Sequence, residues 1–478
     1  MSDFTSSMST ESFYYAFVVS LTLLLACVVR SVRARQIIYL FASYILYATW
    51  GMPFLGLLIL SSLVNYTLGM WLRRHLSVAC LWVGVVFNLA ILATFKYLPC
   101  VAILAFGRSS FGTWMARIAL PVGLSFWTFQ ALSYLFDIYR EEELDPSLVE
   151  FCLYMAFWPT VLSGPICRLG NLLPQFRQQF TPRREDFSVG FDRMFLGLLL
   201  MALAEMMGAG IRSGQGIDAA FASTATKWSG ADVWCLAIGY GFQLFFNFAG
   251  YCHIVIGAAR LFGIRLDENF SRPYLSTTPS IFWTRWHMSL SFWIRDYLFF
   301  PLATVRREKW WRNLALVFSM VTFGLWHRGA VLFAIWGLYH GILLVLHRKW
   351  QQLQRWSGFS WPQYVAIPVS WAVTFAAISF GWIFFRANDL RQSFAMVAAV
   401  FSFPSYGQHL LPPRLYALIA LLAVGYFILI ALSPLRRDRS EGICAGLPLE
   451  FKCALYGVMF YLAVLHNAEP QQFIYFQF

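Results

Sequence analysis

Two histidines stand among aromatic and apolar neighbours. The stretch Phe282-Trp283-Thr284-Arg285-Trp286-His287-Met288-Ser289-Leu290-Ser291-Phe292-Trp293-Ile294-Arg295-Asp296-Tyr297 mixes rings with arginine, histidine and aspartate. Further on, Phe323-Gly324-Leu325-Trp326-His327-Arg328-Gly329-Ala330 sets His327 between two strongly apolar segments. A neutral imidazole, with a pKa near about 6.5, can accept a proton at physiological pH or act as a nucleophile. Arg285 and Arg295 with Asp296 suit either of two uses, receiving phosphates or holding the segment by ion pairing. His340 and His347 are seven residues apart and would share a helical face. No histidine, cysteine or carboxylate spacing matches a metal site. The nine cysteines are an odd number, and most lie in apolar runs, as Cys27, Cys80 and Cys235 do. Neither a bound metal nor a disulfide framework is expected.

These groups must be positioned by a very apolar chain. Of 478 residues, 59% are hydrophobic, 19% aromatic and only 12% charged, and the mean hydropathy is +0.60. A soluble domain carries about 25% charged residues. The deficit excludes disorder and an ordinary soluble enzyme. The recurrence of apolar runs along the whole length also excludes a single anchor on a soluble domain. The expected class is an all-α polytopic membrane protein. The net charge of +13 falls in short loops, where positive-inside topology and anionic membrane lipid account for it, and no nucleic acid is expected.

A crossing helix needs about 20 residues. Apolar runs begin with Phe13 to Val29, Gln36 to Trp50, Phe54 to Leu72 and Val78 to Phe95. They continue with Ile118 to Phe136, Phe151 to Cys167, Met194 to Ile211 and Val233 to Ala259. The last are Asn313 to Trp326, Gly329 to Leu346, Pro362 to Phe385, Leu415 to Ser433 and Cys453 to Leu465. Roughly 11–13 transmembrane or re-entrant helices follow by that length rule, in one domain spanning 1–478 with its core motifs in 118–390. Arg30, Arg33 and Arg35 place the loop after the first run in the cytoplasm and the N-terminus outside. The second and third runs read as a hairpin turning at Gly51-Met52-Pro53. Leu120-Pro121-Val122-Gly123 and Leu162-Ser163-Gly164-Pro165 break their segments. Broken helices at membrane depth survive only where protein or a water-filled cavity satisfies the freed backbone, so the bundle is expected to enclose a cavity. The 282–297 stretch is too charged for a simple span and too apolar for a loop, which predicts a re-entrant or tilted segment. Gly337 and Gly341 form a small-xxx-small pair for close helix packing. His347 is expected to open a basic loop, and Arg306-Arg307-Glu308-Lys309 with Arg312 to form a cytoplasmic surface anchored by Trp310 and Trp311.

The ordered series of motifs resembles the membrane-bound O-acyltransferase family, in the bacterial branch typified by the alginate O-acetyltransferases. It runs through Leu120-Pro121-Val122-Gly123-Leu124-Ser125-Phe126-Trp127-Thr128-Phe129-Gln130, Ser163-Gly164-Pro165-Ile166, Glu268-Asn269-Phe270 and Arg272-Pro273-Tyr274. It continues with Trp286-His287-Met288-Ser289-Leu290-Ser291, Gly324-Leu325-Trp326-His327 with Phe333, and Trp336-Gly337-Leu338-Tyr339-His340-Gly341. Phe384-Phe385-Arg386-Ala387 and the terminal Phe473-Ile474-Tyr475-Phe476-Gln477-Phe478 complete it. The resemblance implies helices around a central funnel. An acyl thioester donor, acetyl-CoA, would enter from the cytoplasm and the acceptor hydroxyl from the other face. By the same resemblance the family's essential histidine corresponds to His327 and its second polar position to His287. Arg285, Trp286, Arg295 and Asp296 are then the candidates for holding the donor. A base must take the hydroxyl proton during attack on the thioester, and a second polar group can orient that base or hold the developing oxyanion.

The implied reaction is acetyl transfer toward an exported or cell-surface polysaccharide, in the inner membrane of a bacterium, with a periplasmic acetyl-relay protein as a further partner. Two other readings compete with it. One is D-alanyl transfer from a carrier protein toward teichoic acid. The other is a non-enzymatic lipid-linked glycan transporter, disfavoured by the lack of symmetry between the halves. A non-catalytic scaffold for a synthase complex comes last. Two departures from the family pattern stand out. Relatives often carry carboxylates where this chain has Phe246-Asn247-Phe248-Ala249-Gly250-Tyr251-Cys252-His253, and Arg328-Gly329 follows His327 in place of Gly-Ala. A guanidinium facing the imidazole would favour its neutral form.

Overall fold

Apolar runs in this chain become helices because no strand period competes with them, and among the described residues no strand occurs. The structure, a computed structural model, describes residues 2–107, 109–110, 119–181, 183–210, 214–223, 228–358, 361–432 and 456–457. Among these, seven helices are long and apolar enough to cross a membrane: Met52–Arg74, Val78–Lys96, Arg184–Ala209, Gly230–Leu261, Val331–Ser357, Gln363–Arg386 and Pro413–Ile430. Shorter apolar helices cover Tyr14–Val28 and Leu390–Phe401. The chain is thus an all-α, multi-pass membrane protein. The terminal Phe473–Phe478 motif and most of the Cys453–Leu465 run lie outside the described residues.

Two compact units divide the chain. The first comprises Met1–Met194 with Val255–Asp267. Its helices are α1 (Ser2–Val28), α2 (Val32–Ala48), α3 (Met52–Arg74), α4 (Val78–Lys96), α5 (Leu98–Phe106), α6 (Leu124–Tyr139), α7 (Leu148–Ala156), α8 (Trp158–Val161) and α9 (Leu169–Arg177). The expected α2–α3 hairpin is present, with its turn at Thr49-Trp50-Gly51, two residues earlier than expected. Gly51 caps α3 at φ +135°, a conformation open to glycine, and Pro53 sits in the first turn. The two proline–glycine breaks are real. Gly123 has φ +75°, and a Cβ there would lie 1.9 Å from the Val161 carbonyl oxygen. Tyr47 Oη donates to the Val122 carbonyl at 2.8 Å, so a protein side chain satisfies backbone that the break frees. The run expected from Phe151 to Cys167 is split between α7 and α8, with Pro159 in the first turn of α8.

A polar clasp fixes α9 to this unit. Glu150 accepts from Arg177 Nε at 2.8 Å and Nη2 at 2.9 Å, from Gln36 Nε2 at 3.2 Å and from the Ser147 backbone N–H at 2.8 Å. The Arg177 guanidinium is the main reason its carboxyl is held down at about 2, with Ser147 adding to this against the opposing pull of burial.

The second unit comprises Phe195–Ile254 with Glu268–Phe478. The long helices α10 (Arg184–Ala209) and α12 (Gly230–Leu261) each cross the boundary between units, and α11 is Ile217–Ala222. The re-entrant expectation corresponds to a chain of short pieces. These are α13 (Pro279–Trp283), α14 (Met288–Ile294), a π-helical turn at Arg295–Phe299 and α15 (Phe300–Thr304). Then follow α16 (Lys309–His327), α17 (Val331–Ser357), α18 (Gln363–Arg386), α19 (Leu390–Phe401) and α20 (Pro413–Leu432). Because α17 continues to Ser357, His347 lies inside a helix rather than opening a loop. Lys349, Gln351, Gln352, Gln354 and Arg355 extend it, since straight-chain polar residues are good helix formers.

The α16–α17 hairpin packs by contact of backbone on backbone. A Cβ on Gly324 would meet the Phe333 carbonyl oxygen at 2.1 Å, and one on Gly337 the Met320 oxygen at 2.3 Å. One on Gly341 would lie 2.9 Å from Val317 Cα. The small-residue pair read from the sequence is therefore what lets α17 seat against α16 and fix its C-terminal residue, His327.

Candidate active site

His327 ends α16 and is 3% exposed. Aromatic rings surround it. The centroids of Trp326, Phe323, Phe385 and Trp336 lie at 4.7, 5.1, 5.1 and 5.6 Å. Such walls exclude water, which strengthens electrostatic interactions and limits hydrolysis of a thioester. The next residue, Arg328, leaves the helix in extended backbone and is exposed. Although neighbours in sequence, the two differ in burial, His327 being enclosed and Arg328 exposed.

His287 is fully buried and caps α14 with φ +42°. A β-carbon-bearing residue in this left-handed region is uncommon and must be held there by its surroundings. The holder is Asn269. Its Oδ1 lies 3.1 Å from His287 Nδ1 and accepts from the Ser289 backbone N–H at 3.1 Å and Ser289 Oγ at 3.0 Å. Its backbone carbonyl accepts from the Met288 N–H at 2.9 Å. The Ser289 backbone donor fixes which amide atom faces this way, since only oxygen can accept from it. An amide oxygen cannot donate, so His287 Nδ1 carries the proton and, in the neutral ring, Nε2 is the acceptor. Phe248 of α12 packs edge-on to His287 at 4.7 Å. Asn269 Nδ2 contacts Cys252 Sγ at 3.4 Å. The segment Phe246–His253 thus reaches His287 directly through Phe248, and through Asn269 by way of Cys252.

Trp326 is a ring neighbour of both histidines, at 6.5 Å from His287 and 4.7 Å from His327. Trp286, by contrast, is a core residue. It stacks on Phe282 at 5.4 Å and packs against Trp382 at 5.0 Å and Phe270 at 5.2 Å. Arg295 is engaged twice by Asp296, Nε to Oδ1 at 2.7 Å and Nη2 to Oδ2 at 3.2 Å, and lies over the Phe292 ring at 4.7 Å. Arg295 and Asp296 thus form an ion pair. Arg285 is half-buried, and its carbonyl accepts from the Ser271 N–H at 2.9 Å.

His340 is fully buried between Trp336 at 4.9 Å and Trp283 at 5.2 Å, beside Gly381, where a Cβ would sit 2.7 Å from Nε2. The residue that sequence reasoning quoted without assigning a role is Asn269. Its signal was an amide inside a motif, Glu268-Asn269-Phe270, that is otherwise acidic and aromatic. Among the described residues no group of histidine, cysteine and carboxylate side chains is arranged to hold a metal.

The family model for membrane-bound O-acyltransferases matches residues 107–387. The chain belongs to that family. It is 33% identical over 388 residues to a protein of Pseudomonas aeruginosa named a probable alginate O-acetylase, covering 78% of this chain and 71% of that one. It is 30% identical over 386 residues to a peptidoglycan O-acetyltransferase of Helicobacter pylori, covering 74% and 71%. A teichoic acid D-alanyltransferase of Bacillus subtilis is 30% identical over 293 residues, covering 56% of this chain and 69% of that protein. This membrane-bound O-acyltransferase carries His287 and His327 in its second unit.

Proposed function

We propose that this enzyme transfers an acetyl group from acetyl-CoA across a bacterial inner membrane toward hydroxyls of an exported or cell-surface polysaccharide, directly or through a periplasmic relay protein. The observation that carries the reading is the similarity to the alginate O-acetylase over 78% of the chain, against 56% for the D-alanyltransferase.

In this reading His327 is the general base. As the acceptor oxygen forms its bond to the thioester carbonyl carbon, its proton passes to the imidazole. The tetrahedral intermediate then collapses, breaking the C–S bond, and the imidazolium returns the proton to the departing thiolate. The dry aromatic walls favour this transfer over hydrolysis. With Nδ1 committed to Asn269, neutral His287 offers an acceptor at Nε2. An acceptor suits orienting the N–H of a second imidazole and does not suit stabilising an oxyanion, which needs a donor. His287 is therefore the orienting group, and Asn269 sets its tautomer.

The test supplies acetyl-labelled coenzyme A to inside-out vesicles loaded with periplasmic extract. Label appearing in luminal glycan or protein is the expected result. Transfer only from an aminoacylated carrier protein would replace the acetyl reading with D-alanyl transfer, and no transfer from either would remove both.

A further inference from the structure

The first unit contains a built polar cavity that the chemistry around His327 does not use. It has a volume of about 450 Å³ and lies against the start of α2. The positive-inside rule puts this end of α2, after Arg30 and Arg33, at the cytoplasmic face. Arg35 lines the cavity and is only 3% exposed. Its Nη2 donates to the Gln178 carbonyl, while its buried Nη1 has no hydrogen-bond partner. One turn on, Tyr39 lines the same cavity, is 4% exposed, and its Oη likewise has no partner. Two buried donors without acceptors, facing one cavity, are costly unless something in the cavity accepts from them.

The charge around them states what that is. Arg183 and Arg265 line the cavity as well. The carboxylate in its wall, Asp186, is engaged by Arg260 Nε at 2.8 Å. Three guanidinium groups therefore face a volume whose acidic member already has its counter-ion. The rim is also fixed. Gln175 accepts from the Arg265 N–H at 2.8 Å and donates to the Arg265 carbonyl at 3.0 Å, holding the backbone from which that side chain emerges. Guanidinium forks match phosphate oxygens in geometry and charge, and a phosphate group brings several acceptors where one carboxylate brings two.

We infer that this cavity binds a phosphate-bearing group at the cytoplasmic face, with Arg35 and Tyr39 as its buried donors and Arg183 and Arg265 at its mouth. Two sources carry that chemistry, the phosphorylated nucleotide of a coenzyme thioester and the headgroup of an anionic phospholipid. The site stands apart from the acetyl-transfer reading, and only its assignment to the coenzyme rests on that reading.

The experiment uses the full chain in discs of zwitterionic lipid, titrated calorimetrically with adenosine bisphosphate. A parallel sample in discs containing phosphatidylglycerol is assayed by native mass spectrometry for retained lipid. Arg35→Gln is the central variant. Tyr39→Phe and Arg265→Gln are less disruptive and keep the test valid if Arg35→Gln does not fold. Saturable nucleotide binding, weakened about tenfold by each variant, supports the site with a coenzyme as its source. Selective lipid retention, lost in the same variants, supports it with a headgroup as its source. Binding of neither probe, or binding that all folded variants match, overturns the inference and leaves a cavity that holds only water. The His327→Ala protein should bind like wild type, so a failure of the acetyl reading leaves this result readable.

Discussion

His287 Nδ1 and Asn269 Oδ1 lie 3.1 Å apart, and that contact decides which nitrogen of a fully buried imidazole can accept a proton or a hydrogen bond. Three donors converge on the one amide oxygen, from His287, the Ser289 backbone and the Ser289 hydroxyl. Asn269 thereby couples the left-handed backbone at His287 to the tautomer of its ring.

Replacing Asn269 by alanine should therefore act on the chemical step. The loss of the His287 and Ser289 contacts is worth about 1–3 kcal/mol, or about a 5- to 150-fold fall in kcat. KM for the donor should stay near its wild-type value. Steady-state kinetics in proteoliposomes check this, and a variant altered only in KM would remove Asn269 from the positioning of His287.

Gly337→Ala tests whether the α16–α17 contact positions His327. Alanine is intrinsically favoured over glycine in a helix by about 1 kcal/mol. Against that, the new Cβ would lie 2.3 Å from the Met320 carbonyl oxygen, which no rotamer change can relieve. Overpacking of this kind costs about 1–3 kcal/mol, so the clash wins. Both the thermal midpoint and the acyl-transfer rate should fall. A stabilised, fully active variant would show that the two helices do not need this approach.

The clasp at Glu150 gives a pH signature. Its carboxyl is lowered from 4.5 to about 2, chiefly by Arg177. A group depressed on folding contributes its stability above its unfolded value and loses it as pH falls. The contribution should be complete above about pH 4.5 and fade toward pH 2. Glu150→Gln should lower the midpoint at neutral pH and flatten its decline across that window. Identical pH curves for variant and wild type would mean the clasp adds nothing.

Much of this is legible in the sequence. Gly51 and Pro53 marked the α2–α3 turn, Gly123 and Gly164 marked real breaks, and Gly337 and Gly341 marked a close helix pair. Each is a local backbone constraint that residue type states directly. His287 and His327 stand out in the sequence because polar groups are expensive among apolar ones. The helical extension past His347 is hidden because charge reads as loop, although Lys, Gln and Arg favour helix. Asn269 and the Arg35–Tyr39 cavity were not legible as sites. The first acts on a histidine eighteen residues away, and the second is assembled from α2, α9 with the chain after it, the start of α10 and the residues that follow α12. Sequence carries no distance between such segments.

The most direct test of His327 as the base is single-turnover transfer of labelled acetyl groups from coenzyme A into the lumen of sealed inside-out vesicles, comparing wild type with His327→Ala at matched protein content. Wild type should move label across the membrane, and His327→Ala, though folded, should slow transfer at least about a hundredfold. Equal rates in the two proteins would contradict that role.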